Sequence, residues 1–197
     1  MLFRSSKRQE NFLPKGWMEI RHFAKAEQLL EGDKVRKGEK TMATRYYAAY
    51  GSNLNIHQMR LRCPNAKVVG TAEIKDYELI FKGSRTGSYL TIEKKKGSKV
   101  PVALWETTGA DEKSLDRYEG FPVFYYKAEM KLKVKDIKTG KIRCKNCYVY
   151  IMHEDRAMGV PSNFYVETCL EGYRAFGFDE KFILTALEKS RRLCREE

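Results

Sequence analysis

The chain has 197 residues, 42% hydrophobic and 12% aromatic, and its 38 Lys and Arg against 26 Asp and Glu give a formal charge of +12. This is enough apolar material for one domain with a core of ordinary size and an appendage, and no stretch has the apolar length of a membrane span or the apolar block of a secretory signal. The five scattered cysteines (Cys63, Cys144, Cys147, Cys169 and Cys194) are an odd set that fits reduced thiols, so the expected location is the cytoplasm.

The sequence changes character at Met42. Before it come a polar start, one amphipathic helical pattern around Trp17 to Leu30, and the polar run EGDKVRKGEKT. Residues 1–41 read as an N-terminal extension to a domain over residues 42–197. KGEKTM can be encoded with a stretch like a bacterial ribosome-binding site ahead of the Met42 codon, so the extension is either not native or a short helical arm.

From Met42 onward a strand is expected at 45–49, then a turn, then a short helix. Asn55 and Gln58 have capping-box spacing, and Cys63-Pro64 closes that helix because proline cannot continue it. Strands are expected at about 66–74, 77–82, 88–94 and 100–107, separated by the turn chemistry of KGSRTGS and KKGSK. A helix begins near Asp111 as N-cap and stops at Gly120. Long strands at 123–135 and 141–152 flank the hairpin signal IKTGK. A helix capped by Ser162 and stopped by Gly177 follows, then a last one with apolar Phe182, Ile183, Ala186, Leu187 and Leu193. Strands in the middle and helices at the end make an α+β domain, not alternating βαβ units.

The basic charge raises nucleic acid as a partner, but it is diffuse. Residues 1–41 hold 10 basic and 6 acidic side chains and the rest 28 and 20, and outside EKKKGSK the basic residues mostly alternate with apolar ones. That is the pattern of solvated strands, and no nucleic-acid motif accompanies it. CKNC, at Cys144 to Cys147, is a metal half-site without a second ligand pair; His22, His57 and His153 form none. In a strand, residues three apart also point to opposite faces. No metal site is expected.

The stretch YGSN, Tyr50 to Asn53, lies between a strand and a helix. Gly51 permits positive φ and close approach of a ligand, and the N–H groups of the turn converge on a point that favours an anion. Plain turn chemistry explains the same residues equally well. In SLDRYEGFP, Glu119 occupies the last turn of a helix, where the dipole disfavours a carboxylate. Its neighbours Tyr118, Phe121 and Pro122 would desolvate it and raise its pKa toward the range of a general base; an exposed glutamate before a C-cap glycine is the plainer alternative.

Together, YAAYGSNL after a first strand, the downstream EGF motif, and a hairpin followed by a proline-containing loop resemble the gamma-glutamylcyclotransferase superfamily, over about Tyr46 to Phe182. The resemblance implies a small, mixed, partly closed β-barrel flanked by short helices, with a pocket at one mouth. It implies that Tyr50, Gly51, Ser52 and Asn53 bind a glutamyl head through backbone amides and that Glu119 is the catalytic acid/base. The pocket tyrosine it implies is Tyr165 in VPSNFY, with Tyr173 as competitor. The implied reaction is attack of the glutamyl α-amine on its own γ-carbonyl, releasing 5-oxoproline and an amine, with a small-molecule gamma-glutamyl substrate and no cofactor. Two alternatives stay open: a non-catalytic member that binds a small anion, and a basic nucleic-acid-binding protein.

Overall fold

A computed structural model of the chain describes residues 44–84 and 87–196. The expected arm over residues 1–41 and the proposed start at Met42 lie outside them. Five strands form one mixed barrel: β1 (Arg45–Ala49), β2 (Lys67–Ser84), β3 (Gly87–Thr107), β4 (Tyr125–Asp136) and β5 (Ile142–Met152). Their order is β1-β3-β2-β4-β5, antiparallel throughout except where β5 runs parallel to β1 at Tyr47 and Tyr148 and closes the ring. The expected α+β mixed barrel is present, and its strands close into a ring through short pairings of β2 with β4 and of β5 with β1.

The helices are a 3-10 turn (Ser52–Leu54), α1 (Ile56–Arg62), α2 (Gly109–Glu119), α3 (Asn163–Phe176) and α4 (Lys181–Glu196). Their ends follow local chemistry. Asn55 caps α1 by accepting from Gln58 N, and Ser162 caps α3 by accepting from Tyr165 N. Gly120 and Gly177 end α2 and α3 in the left-handed conformation, φ 63° and 67°, which costs a glycine least. The cap of α2 differs from expectation. Thr108, not Asp111, is the N-cap: Thr108 Oγ1 accepts from Asp111 N while Asp111 Oδ2 accepts from Thr108 N. Asp111 is the third residue of a capping box, so its carboxylate satisfies a backbone donor from inside the helix.

The four short strands expected between 66 and 107 are two long ones, β2 and β3. KKGSK does not end a strand. Lys75 pairs with Lys99 and Tyr77 with Lys94, so Lys95 to Ser98 stand opposite Asp76 alone as a large bulge, and Gly97 N donates to Asp76 Oδ1 at 2.8 Å. The turn chemistry is real but is absorbed by a ladder that resumes in the same pairing.

β1 lies between β3 and β5, which explains why Tyr47, Ala48 and Ala49 are all buried instead of alternating. Inside the barrel Tyr47, Tyr148 and Tyr150 pack with ring centroids 5.5 to 5.7 Å apart. The apolar residues of α4 expected to face inward do so at Ile183, Ala186 and Leu187. Two contacts carry the site. α3 lies directly on the 3-10 turn, where a Cβ added at Gly172 would meet Leu54 Cβ at 2.6 Å. α2 is pinned over the barrel mouth by half-buried Lys127 of β4, which pairs with Glu112 at 2.6 Å and Asp116 at 2.7 Å. Tyr150 Oη also donates to Asp116 Oδ1, at 2.6 Å.

Candidate active site

β1 delivers Tyr50 into the core, where its hydroxyl donates to the Tyr150 carbonyl at 2.6 Å and fixes the start of the turn. Within the turn, Leu54 N and Asn55 N donate to the carbonyls of Gly51 and Ser52, at 2.9 and 3.0 Å. The N–H groups of Gly51, Ser52 and Asn53 therefore precede the first bond of the turn and are not consumed by it. Gly51 does not use the positive φ its sequence context suggests; its φ is −114°. What it supplies is space, since a Cβ there would stand 3.3 Å from Tyr165 Oη and 3.5 Å from Leu90 Cβ.

Glu119, the last residue of α2, is half-buried against this turn. Asn53 Nδ2 donates to Glu119 Oε1 at 2.8 Å and to Tyr47 Oη at 2.9 Å, while Asn53 Oδ1 accepts from Arg62 Nη1 at 2.6 Å. Desolvation by burial pushes the Glu119 carboxyl up to about 7 against the opposing pull of the Arg62 charge and the Asn53 hydrogen bond. A carboxyl half-protonated near neutrality can take a proton and return it.

These residues border a cavity of about 370 Å³, whose wall includes Tyr50, Gly51, Ser52, Asn53, Glu119 and Tyr165. All six residues singled out in the sequence thus meet at one place. Tyr165 reaches the cavity from the first turn of α3, and its hydroxyl accepts from Leu90 N at 3.1 Å. Tyr173, its competitor, is fully buried two turns further on, stacked edge-on against Phe178 and away from the cavity. Burial, the largest cause in each case, pushes the phenols of Tyr47, Tyr50, Tyr125 and Tyr165 up, so they stay hydroxyls beside Glu119.

Sequence reasoning missed Arg62, Tyr47, Tyr125 and Gly172. Only Arg62 left a trace, since Gln58 and Arg62 are one helical turn apart on the helix that follows YGSN. The cysteines take no part. Cys63 and Cys169 are buried with thiols pushed up to about 12. In CKNC, Cys144 is exposed and Cys147 is buried on β5, with Cys147 Sγ 3.5 Å from the Met130 carbonyl. Among the described residues no group of three or more His, Cys, Asp and Glu is placed to hold a metal ion, and no helix is long and apolar enough to cross a membrane.

A family model described as gamma-glutamyl cyclotransferase, AIG2-like, matches residues 47–167. The chain is 28% identical over 159 residues to the gamma-glutamylcyclotransferase of Mus musculus, spanning 77% of this chain and 80% of that protein. It is 32% identical over 107 residues to the gamma-glutamylcyclotransferase of Homo sapiens, spanning 51% and 56%. Among solved structures, a gamma-glutamyl cyclotransferase superposes with a TM-score of 0.61 at 27% identity, over 76% of this chain and 87% of that one. YkqA from Bacillus subtilis has the same fold, with a TM-score of 0.61 at 18% identity over 85% of this chain and 58% of that one. With the matched segment running from Tyr47 at the cavity wall to α3, and taking in both the turn and Glu119, this chain belongs to the gamma-glutamyl cyclotransferase, AIG2-like family.

Proposed function

We propose that the protein is a cyclotransferase that cleaves a gamma-glutamyl amide by intramolecular attack, releasing 5-oxoproline and a free amine. The observation that carries this reading is the Glu119 carboxyl, held 2.8 Å from Asn53 in the wall of a small-molecule cavity and raised to about 7. A base of that strength is matched to proton transfer near neutral pH.

In this reading the α-carboxylate of the glutamyl head sits on the N–H groups of Gly51, Ser52 and Asn53, where the turn leaves them unused. Glu119 takes a proton from the α-ammonium, freeing its lone pair. The amine attacks the γ-carbonyl, and the tetrahedral centre collapses as the bond to the leaving nitrogen breaks. Glu119 returns its proton to that nitrogen, and the carboxylate so regenerated takes the second proton from the ring nitrogen and passes it to the departing amine. The amine leaves as the ammonium, so the lactam is neutral and Glu119 ends as it began. The new bond closes a five-membered lactam within one molecule, and holding that geometry contributes roughly 7 to 11 kcal/mol. In the same reading the turn amides also steady the oxygen on which charge develops.

The Tyr165 hydroxyl, next to Gly51 and bonded to Leu90 N, bounds the head-group end of the cavity and sets how deep the substrate sits. The test is incubation with a panel of gamma-glutamyl dipeptides and gamma-glutamyl amines, assayed for 5-oxoproline. Release from at least one member is the expected result; no release from any member overturns the reading.

A further inference from the structure

We infer that Arg62 is the positioning residue for Glu119, acting through the side-chain amide of Asn53. The inference rests on the cyclotransferase reading for its kinetic consequences, and on geometry for the link itself. An asparagine amide offers one acceptor oxygen and two donor hydrogens. Here all are engaged: Oδ1 accepts from Arg62 Nη1 at 2.6 Å, and Nδ2 donates to Tyr47 Oη at 2.9 Å and Glu119 Oε1 at 2.8 Å.

Turned over, the amide would present its oxygen to the carboxylate and its NH₂ to the guanidinium, two repulsive contacts in place of two attractive ones. Arg62 therefore decides which face of Asn53 meets Glu119. Arg62 is itself held, since Nη2 donates to Tyr118 Oη at 2.7 Å and to Gln58 Oε1, and the guanidinium lies 3.6 Å from the Tyr118 ring centroid. One planar fork thus joins α1, the YGSN turn and the end of α2, which a lysine cannot reproduce. Arg62 does not line the cavity, so it orients Glu119 through Asn53, favours its ionised form by charge, and does not act on substrate.

The plainer role is a half-buried arginine at a helix C-terminus that staples α1 to α2. The two roles differ in what they do to Glu119. The other titratable groups that line the cavity with that carboxyl are Tyr47 and Tyr50 from the β1 side, Tyr89 from β3, Tyr125 from β4, Tyr150 from β5, Tyr165 from α3, and Arg117 and Tyr118 beside it on α2. Among the charges on Glu119, Arg62 is the one that favours the ionised form.

The experiment compares full-length wild type, Arg62→Met, Arg62→Lys, Asn53→Ala and the Arg62→Met/Asn53→Ala double variant. It reads kcat and KM for 5-oxoproline release across pH, and the ¹³C NMR titration of the Glu119 carboxyl. In Arg62→Met the Glu119 titration and the acid limb of kcat are expected to move up together, with kcat down about tenfold to a hundredfold. Arg62→Lys keeps the charge and stem, guards against misfolding, and is expected to lose kcat with KM little changed. The double variant is expected to be no slower than Asn53→Ala, because the two residues act as one path.

A Glu119 titration unmoved in folded Arg62→Met, wild-type kcat in folded Arg62→Lys, or losses that multiply in the double variant would each overturn the inference. If wild type releases no 5-oxoproline from any substrate, the cyclotransferase reading falls, while the NMR titration still decides whether Arg62 governs Glu119.

Discussion

Asn53 Nδ2 lies 2.8 Å from Glu119 Oε1, although the two residues are 66 positions apart in the chain. One belongs to the turn after the first strand and the other ends α2, a position where the helix dipole disfavours a carboxylate. Burial raises the proton affinity of this carboxyl, the amide and the Arg62 charge behind it offset that only in part, and the carboxyl is left titrating near neutrality.

Glu119→Gln keeps the size and the hydrogen bond from Asn53 but cannot carry a proton between substrate nitrogens. Turnover is expected to fall at least the roughly hundredfold typical of general acid-base catalysis. Binding of a gamma-glutamyl ligand, followed by thermal shift, should persist. Wild-type-like 5-oxoproline release from this variant would refute the role.

The pH dependence follows from the direction of the shift. The free enzyme needs Glu119 ionised to accept the ammonium proton, so kcat/KM should be lost as pH falls through about 7. A limb near the ordinary carboxylate range, 4 to 5 in pH-rate profiles, would show that another group is the base.

The same carboxyl should cost stability. Its folded pKa of about 7 lies above the ordinary 4.5, so between those values the folded state binds more protons than the unfolded one. Stability therefore falls as pH rises through this window, and the cost is complete above it. Glu119→Gln is expected to be more stable than wild type at pH 8, by on the order of 2 kcal/mol, with the gain vanishing at pH 4. Urea denaturation at the two pH values checks this; an equal difference at both would contradict it.

Gly172→Ala tests the contact that seats the turn. The added Cβ would stand 2.6 Å from Leu54 Cβ and 2.7 Å from the Leu54 carbonyl carbon, so α3 and the turn must separate. Overpacking of this kind costs about 1 to 3 kcal/mol. A fall in kcat/KM should accompany the loss, because the displaced segment carries Ser52 and Asn53; calorimetry and the 5-oxoproline assay read the two effects separately.

Tyr165→Phe removes the hydroxyl that accepts from Leu90 N at 3.1 Å, leaving a buried backbone donor unpaired. The expected loss is about 1 to 3 kcal/mol in denaturant unfolding. Tyr173→Phe, at a buried hydroxyl with no hydrogen-bond partner, should lose nothing measurable, which separates the two tyrosines.

What could be read from the sequence was whatever residues three or four apart decide between themselves. The Asn55, Ser162, Gly120 and Gly177 helix ends are of this kind, each made by a side chain or a backbone conformation acting on the adjacent turn. The meeting of YGSN with Glu119 was legible only through the family resemblance, since nothing local joins them. Tertiary structure alone decided that KKGSK bulges within β3 instead of ending it, because ladder continuity depends on the partner strand supplying Lys75 and Tyr77 on either side. It also decided that β5 closes on β1, and that Arg62 stands behind Asn53. Burial decided the chemistry: a glutamate at a helix end is an ordinary acid in water, and only the barrel mouth and the tyrosines packed around it remove enough solvent to raise its proton affinity.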